Sequence, residues 1–128
     1  MPIELQLLVW TVALAIVQLL VAVAGANQQL GLPTLAGNRE GLAEITGWAG
    51  RAARAHRNLL ESLVLFAALV LVANATGRTN ELTALGAHLF FWARLAHAVV
   101  YVLGLPWVRT LVWLVSFAGL LLILSQLF

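Results

Sequence analysis

LQLLVWTVALAIVQLLVAVAGA, residues 5–26, is a run of 22 residues without a charged side chain. At about 1.5 Å of rise per residue, a helix of that length reaches about 33 Å, enough to cross the ~30 Å hydrocarbon core of a bilayer. Inside lipid a single segment satisfies its own backbone only as a helix, so the run reads as a transmembrane helix. It is too long for the apolar part of a signal peptide, and Met1-Pro2-Ile3-Glu4 offers no basic segment before it, so a retained helix is expected.

The rest of the chain follows the same pattern. Of 128 residues, 62% are apolar and 9% charged, against roughly 25% charged in an ordinary soluble domain. Mean hydropathy is +0.98. These values exclude a soluble enzyme, a disordered chain and a disulfide scaffold. Without cysteine there is no thiol nucleophile and no thiolate metal ligand, and no metal site is expected. Three further spans are predicted, over 48–75, 81–103 and 107–128. The first loop, from Asn27 to about Gly47, carries Gly31, Pro33, Gly37 and Gly41. A short turn surrounds Gly77, and Gly104-Leu105-Pro106 separates the last two spans, with Pro106 suited to a helix start. The expectation is an all-α membrane protein with four transmembrane helices in an antiparallel bundle. The small-residue stripe Ala13, Val17, Ala24 suits packing against other copies.

All seven basic residues are arginine, and there is no aspartate. Several lie within or against apolar runs, so nucleic acid is not an expected partner. Four crossings place both termini and Arg78 on one side. The other side collects Arg39, Arg51, Arg54 and Arg57, with Arg109 one turn into the fourth helix. That excess predicts a cytoplasmic first loop, with Trp48 and Trp107 at the same interface.

Ionisable groups at membrane depth cost several kcal/mol unless paired or wetted. One cluster is Arg51-Ala-Ala-Arg54-Ala-His56-Arg57-Asn58-Leu-Leu-Glu61, in which Arg54, Arg57 or Asn58, and Glu61 recur at helical spacing. Arg51 and His56 read as interfacial anchors. Arg54, Arg57, Asn58 and Glu61 are too many polar groups for a collar alone. The second cluster, Arg94-Leu-Ala-His97-Ala-Val-Val-Tyr101, sits in the half of helix three that nears the arginine-rich side. Arg94, among Phe90, Phe91, Trp92 and Leu95, is expected to need an internal carboxylate, and Glu61 is the one at comparable depth. His88 falls on another face and reads as packing. Arg109 and Thr110 add a third contribution. Arg54, Arg57, Arg94 and Arg109 outnumber Glu61, so the site calls for an anion. A small ligand with carboxylates fits guanidinium forks, and a thiol on it would be driven toward thiolate by the same field. Composition and spacing do not name that ligand.

The segment Arg54-Ala-His-Arg57-Asn58-Leu-Leu-Glu61, with Phe66 downstream, resembles the second-helix signature R-A-x-x-N-x-x-E of the MAPEG family, the membrane-associated proteins in eicosanoid and glutathione metabolism. Arg94, His97, Tyr101, the short proline turn and Arg109-Thr110 resemble its third and fourth helices. The likeness is to the glutathione transferase and prostaglandin E synthase members, and composition suits a bacterial branch. The resemblance implies a homotrimer in the inner membrane, with glutathione bound between subunits on the cytoplasmic side. It implies that Arg57, Asn58 and Glu61 hold the glutathione peptide, that Arg54, Arg94, His97 and Tyr101 line or brace the site, and that Arg109 stabilises the thiolate beside Thr110. Two positions depart from the pattern. The eicosanoid enzymes carry an arginine near the cytoplasmic end of helix one, where this chain reads Asn27-Gln28-Gln29, and Val64 stands where a proline is usual.

The implied activity is a glutathione-dependent membrane transferase or peroxidase acting on a lipophilic electrophile or peroxide that enters from the lipid. The alternative is a non-enzymatic structural or accessory subunit of a larger membrane assembly. A small multidrug transporter has similar size, but its proton-coupled carboxylate would have to stand clear of arginines, and Glu61 does not.

Overall fold

The computed structural model describes residues 1–37 and 44–128, so Arg39 and Gly41 lie outside the described residues. Five helices follow one another: α1 Ile3–Leu30, α2 Leu32–Ala36, α3 Gly47–Ala75, α4 Glu81–Leu103 and α5 Pro106–Ser125. The described residues contain no strand. Four of the helices, α1, α3, α4 and α5, are long and apolar enough to cross a membrane.

The helix ends have local causes. α1 runs on through Asn27-Gln28-Gln29-Leu30, four residues past the expected end, because polar side chains do not stop a helix that has left the hydrocarbon. It stops at Gly31, whose φ of 83° suits glycine and whose N–H donates to the Asn27 carbonyl at 2.8 Å. The Gln29 amide then donates to the Thr46 carbonyl at 2.7 Å and accepts from the Thr46 N–H at 3.1 Å, tying the end of α1 to the start of α3. Part of the expected first loop is thus helical, including the single turn α2 with Pro33 in its first turn. α4 begins with a reciprocal cap. The Asn80 Oδ1 accepts from the Leu82 and Thr83 N–H groups, and the Thr83 hydroxyl accepts from the Asn80 N–H. Gly104, left-handed at φ 77°, ends α4, and α5 closes at Ser125, three residues before the expected 128.

The core lies where Phe66 of α3 stacks on Phe90 of α4, ring centroids 4.2 Å apart, with Leu7, Leu59, Val70 and Ile123 around them. α4 and α5 make the most extensive helix contact. Gly86 and Gly119 set their separation: a Cβ at Gly86 would stand 2.7 Å from the Gly119 carbonyl oxygen, and one at Gly119 2.5 Å from that of Gly86. Small residues let transmembrane backbones approach in this way.

Side chains close both ends of the bundle. At one end Thr83 Oγ1 donates to the buried Glu4 carboxylate at 3.0 Å, Arg78 Nη1 to the Leu127 carbonyl at 3.3 Å, and Asn80 Nδ2 to Gln126 Oε1 at 2.9 Å. At the other, Arg51 Nε donates to the Val102 carbonyl at 2.8 Å. Neighbouring long helices therefore run antiparallel. Their outward faces are apolar, with Ile16, Leu20, Val64, Leu71, Leu111 and Leu121 all exposed, as lipid contact requires.

Candidate functional site

At the Arg51 end of the bundle, Asn58 of α3, His97 and Tyr101 of α4, and Arg109, Thr110 and Trp113 of α5 line an open cleft of about 300 Å³. Helical spacing explains the grouping. His97 and Tyr101 lie one turn apart on α4, Arg109 and Trp113 one turn apart on α5, and Asn58 faces them from α3. The Arg109 guanidinium carbon lies 4.8 Å from the Tyr101 ring centroid, over its face, and the His97 and Tyr101 rings are 5.3 Å apart. Cation–π contact of this kind holds a cation in place without neutralising it. The Thr110 hydroxyl donates to the Pro106 carbonyl at 3.1 Å, which leaves its lone pairs toward solvent.

Arg94 sits beneath the cleft, 1% exposed, and its Nη2 donates to Asn58 Oδ1 at 2.6 Å. The sequence reading paired Arg94 with Glu61, and the structure corrects this. Glu61 is exposed on α3, and no ion pair forms among the described residues. Spacing along α3 fixes which residues share a stripe, but the rotation of α3 against α4 decides that Asn58 faces inward. The pairing also orients the Asn58 amide, since with its oxygen held by Arg94 its NH2 is left for the cleft. Arg94 Nε and Nη1, and the Nδ1 of His97, are buried without hydrogen-bond partners. No carboxylate lines the cleft, so it presents donors and uncompensated positive charge.

The other expected site residues lie outside the cleft. Arg54 and Glu61, about one turn before and one turn after Asn58, share its side of α3 but are exposed beyond the rim of the cleft. Arg57, about 100° around the helix from Asn58, lines a different pocket of about 420 Å³ with Leu19, Ala26, Leu35, Ile45 and Ala53. Within one chain, Asn58, Arg94, His97, Tyr101, Arg109 and Thr110 are thus brought together, and Arg54, Arg57 and Glu61 are not.

Two site residues were not singled out from the sequence. Trp113 walls the cleft one turn beyond Arg109, a spacing that could have flagged it. Arg51, read as an interfacial anchor, fastens the last turn of α4 and so fixes the height of Tyr101. His88 accepts a 3.2 Å hydrogen bond from Trp92, apart from the cleft. α3 is one continuous helix through Val64.

The family model of the MAPEG family matches residues 7–128. No curated protein and no solved structure matches the chain.

Proposed function

Since the chain belongs to the MAPEG family, we propose that it is a glutathione-dependent membrane transferase or peroxidase that acts on a lipophilic electrophile or peroxide. The observation that carries this reading is the carboxylate-free cleft, in which Arg109 lies over Tyr101, the Asn58 NH2 faces inward and the buried Arg94 charge beneath has no carboxylate to balance it. Glutathione, as substrate, brings two carboxylates, peptide carbonyls and a thiol. The Arg109 guanidinium and the Asn58 NH2 at the cleft fit such an acceptor-rich molecule better than an apolar one.

Asn58, His97 and Tyr101 would orient the peptide, with Arg94 setting the Asn58 rotamer and adding its charge from below. Arg109 would favour the thiolate over the thiol by Coulomb attraction, as cationic neighbours do. The thiol proton leaves to water, and the thiolate sulfur then bonds to the electrophilic carbon of a substrate delivered by the bilayer, expelling its leaving group with the bonding pair. With a hydroperoxide it bonds instead to the terminal oxygen as the O–O bond breaks, the alkoxide takes a proton to leave as the alcohol, and a second glutathione converts the sulfenic acid to the disulfide and water. Arg54, Arg57 and Glu61 stand exposed on a helix long enough to span a membrane, which is costly against lipid. That exposure supports a homotrimer in which a neighbouring copy meets this face of α3 and closes the cleft. The arginine-rich end supports an inner-membrane orientation with that end in the cytoplasm.

Calorimetry on the purified oligomer with glutathione tests the reading. Millimolar or tighter binding is expected, weakened by Arg109→Leu together with loss of the ultraviolet thiolate band and with no change in oligomer mass. Absence of binding would sink the enzymatic proposal and leave the accessory-subunit role.

A further inference from the structure

Trp92 is 51% exposed and stands eleven residues into α4, about 16 Å from its start and near the middle of a helix about 33 Å long. Exposed tryptophans of membrane proteins collect at the two interfaces, where the indole N–H meets water. At mid-span that N–H needs a partner within the protein, and Trp92 Nε1 donates to His88 Nδ1 at 3.2 Å. An indole nitrogen only donates, so His88 Nδ1 is the unprotonated nitrogen and the neutral ring carries its hydrogen on Nε2. His88 is half-buried, and its Nε2 meets no acceptor among the described residues and is not sealed from the surface. It lies seven residues into α4, about 10 Å from the start, so this free donor is held within the hydrocarbon, deeper than water and the ester carbonyls of lipid.

Trp10 of α1, 41% exposed, completes the patch. Its ring centroid lies 6.4 Å from that of Trp92 at 82°, and 5.6 Å from that of Phe91 at 61°. A flat molecule laid on the face of one indole therefore meets the edge of the other, the two geometries that aromatic rings favour. None of these residues lines the cleft of Asn58, Tyr101 and Arg109. Acyl chains are neither flat nor able to accept a hydrogen bond, so bulk lipid leaves both features unused.

From this arrangement we infer that the face formed by Trp10, His88 and Trp92 binds a para-quinone bearing an apolar tail. Such a ring is planar, uncharged and electron-poor, and its carbonyl oxygens accept without donating. One carbonyl accepts from His88 Nε2, the ring lies against an indole, and the tail stays among the lipid chains. A carboxylate would be costly at this depth. An alcohol would find no side-chain acceptor here for its own O–H, because His88 Nδ1 is already taken by Trp92. The site is independent of what fills the cleft and of whether the cleft is catalytic.

The test uses the detergent-purified oligomer without glutathione and tritiated decylubiquinone, a para-quinone with a decyl tail, with decylbenzene as the carbonyl-free competitor. Unlabelled decylubiquinone should displace the label about tenfold better than decylbenzene, the gain of one well-made hydrogen bond in an apolar site. His88→Phe keeps a ring but removes the donor, and should bring the quinone down to the level of decylbenzene. Because it also strands the Trp92 N–H, His88→Phe combined with Trp92→Phe is the second variant, and it should show the same loss of preference. Trp10→Leu should weaken the quinone roughly threefold and keep its preference over decylbenzene. The inference is overturned by equal displacement by the two compounds in the wild type, or by a preference that survives both His88 variants. Absence of saturable quinone binding would also overturn it, and a fall in oligomer mass on Trp10→Leu in that case would assign the patch to a neighbouring copy.

Discussion

Replacing Asn58 by alanine should separate the two roles of the Arg94–Asn58 contact. Arg94 is 1% exposed and has one hydrogen bond among the described residues, to Asn58 Oδ1 at 2.6 Å. A hydrogen bond to a charged group contributes about 1.5–3 kcal/mol, and stripping the partner from a buried charge costs about 3–5 kcal/mol. Since asparagine is neutral, a loss of about 2–3 kcal/mol is expected for Asn58→Ala, measured by unfolding in mixed micelles with the cleft empty. Adding Arg94→Met removes the stranded charge and should restore most of that stability, so the two changes are strongly non-additive. Asn58→Asp is the informative third variant. It supplies an anion to Arg94 and should keep or raise stability, while weakening glutathione binding at least tenfold, because a carboxylate now faces the ligand's own. The reasoning fails if Asn58→Ala stays within about 0.5 kcal/mol of wild type, the range of an ordinary surface change, or if Asn58→Asp binds glutathione as the parent does.

Two other outcomes follow from the packing. Gly119→Ala puts a methyl group 2.5 Å from the Gly86 carbonyl oxygen and 2.9 Å from the Phe90 nitrogen, so α4 and α5 must separate, at about 1–3 kcal/mol. Gly86→Ala forces the same separation, and the double variant should lose clearly less than the sum of the two in thermal melts. Arg51→Met leaves the Val102 carbonyl without its side-chain donor. A loss of about 1–2 kcal/mol is expected, with a weaker hold on glutathione, read by calorimetry, as the last turn of α4 carrying Tyr101 loosens.

The four spans were legible because charge-free length is a property of each segment alone. Pro106 marked the start of its helix for the same reason. The end of α1 was placed at Ala26, four residues early, since the asparagine and glutamines that follow look like loop residues until Gln29 is seen bridging to Thr46. In the site, the stripes on α3 and α4 could be read within each helix. The partner of Arg94 could not, because it depends on the rotation of one helix against another. A buried guanidinium does not require a carboxylate, and here the amide oxygen of Asn58 takes the position.

The helices are of unequal height. α3, with 29 residues, extends about 43 Å, whereas α5, with 20, extends about 30 Å. With Arg51 clamped near the top of α4, the first turn of α3 overshoots α4 and, tied to the end of α1, stands as a parapet beside a ledge formed by Tyr101 and Arg109. For the reaction proposed above, a water-soluble tripeptide would step onto that ledge from the aqueous phase without entering hydrocarbon, and an oily reactant would arrive sideways between helices. The mismatch in length would then give two immiscible reactants separate doors to one threshold.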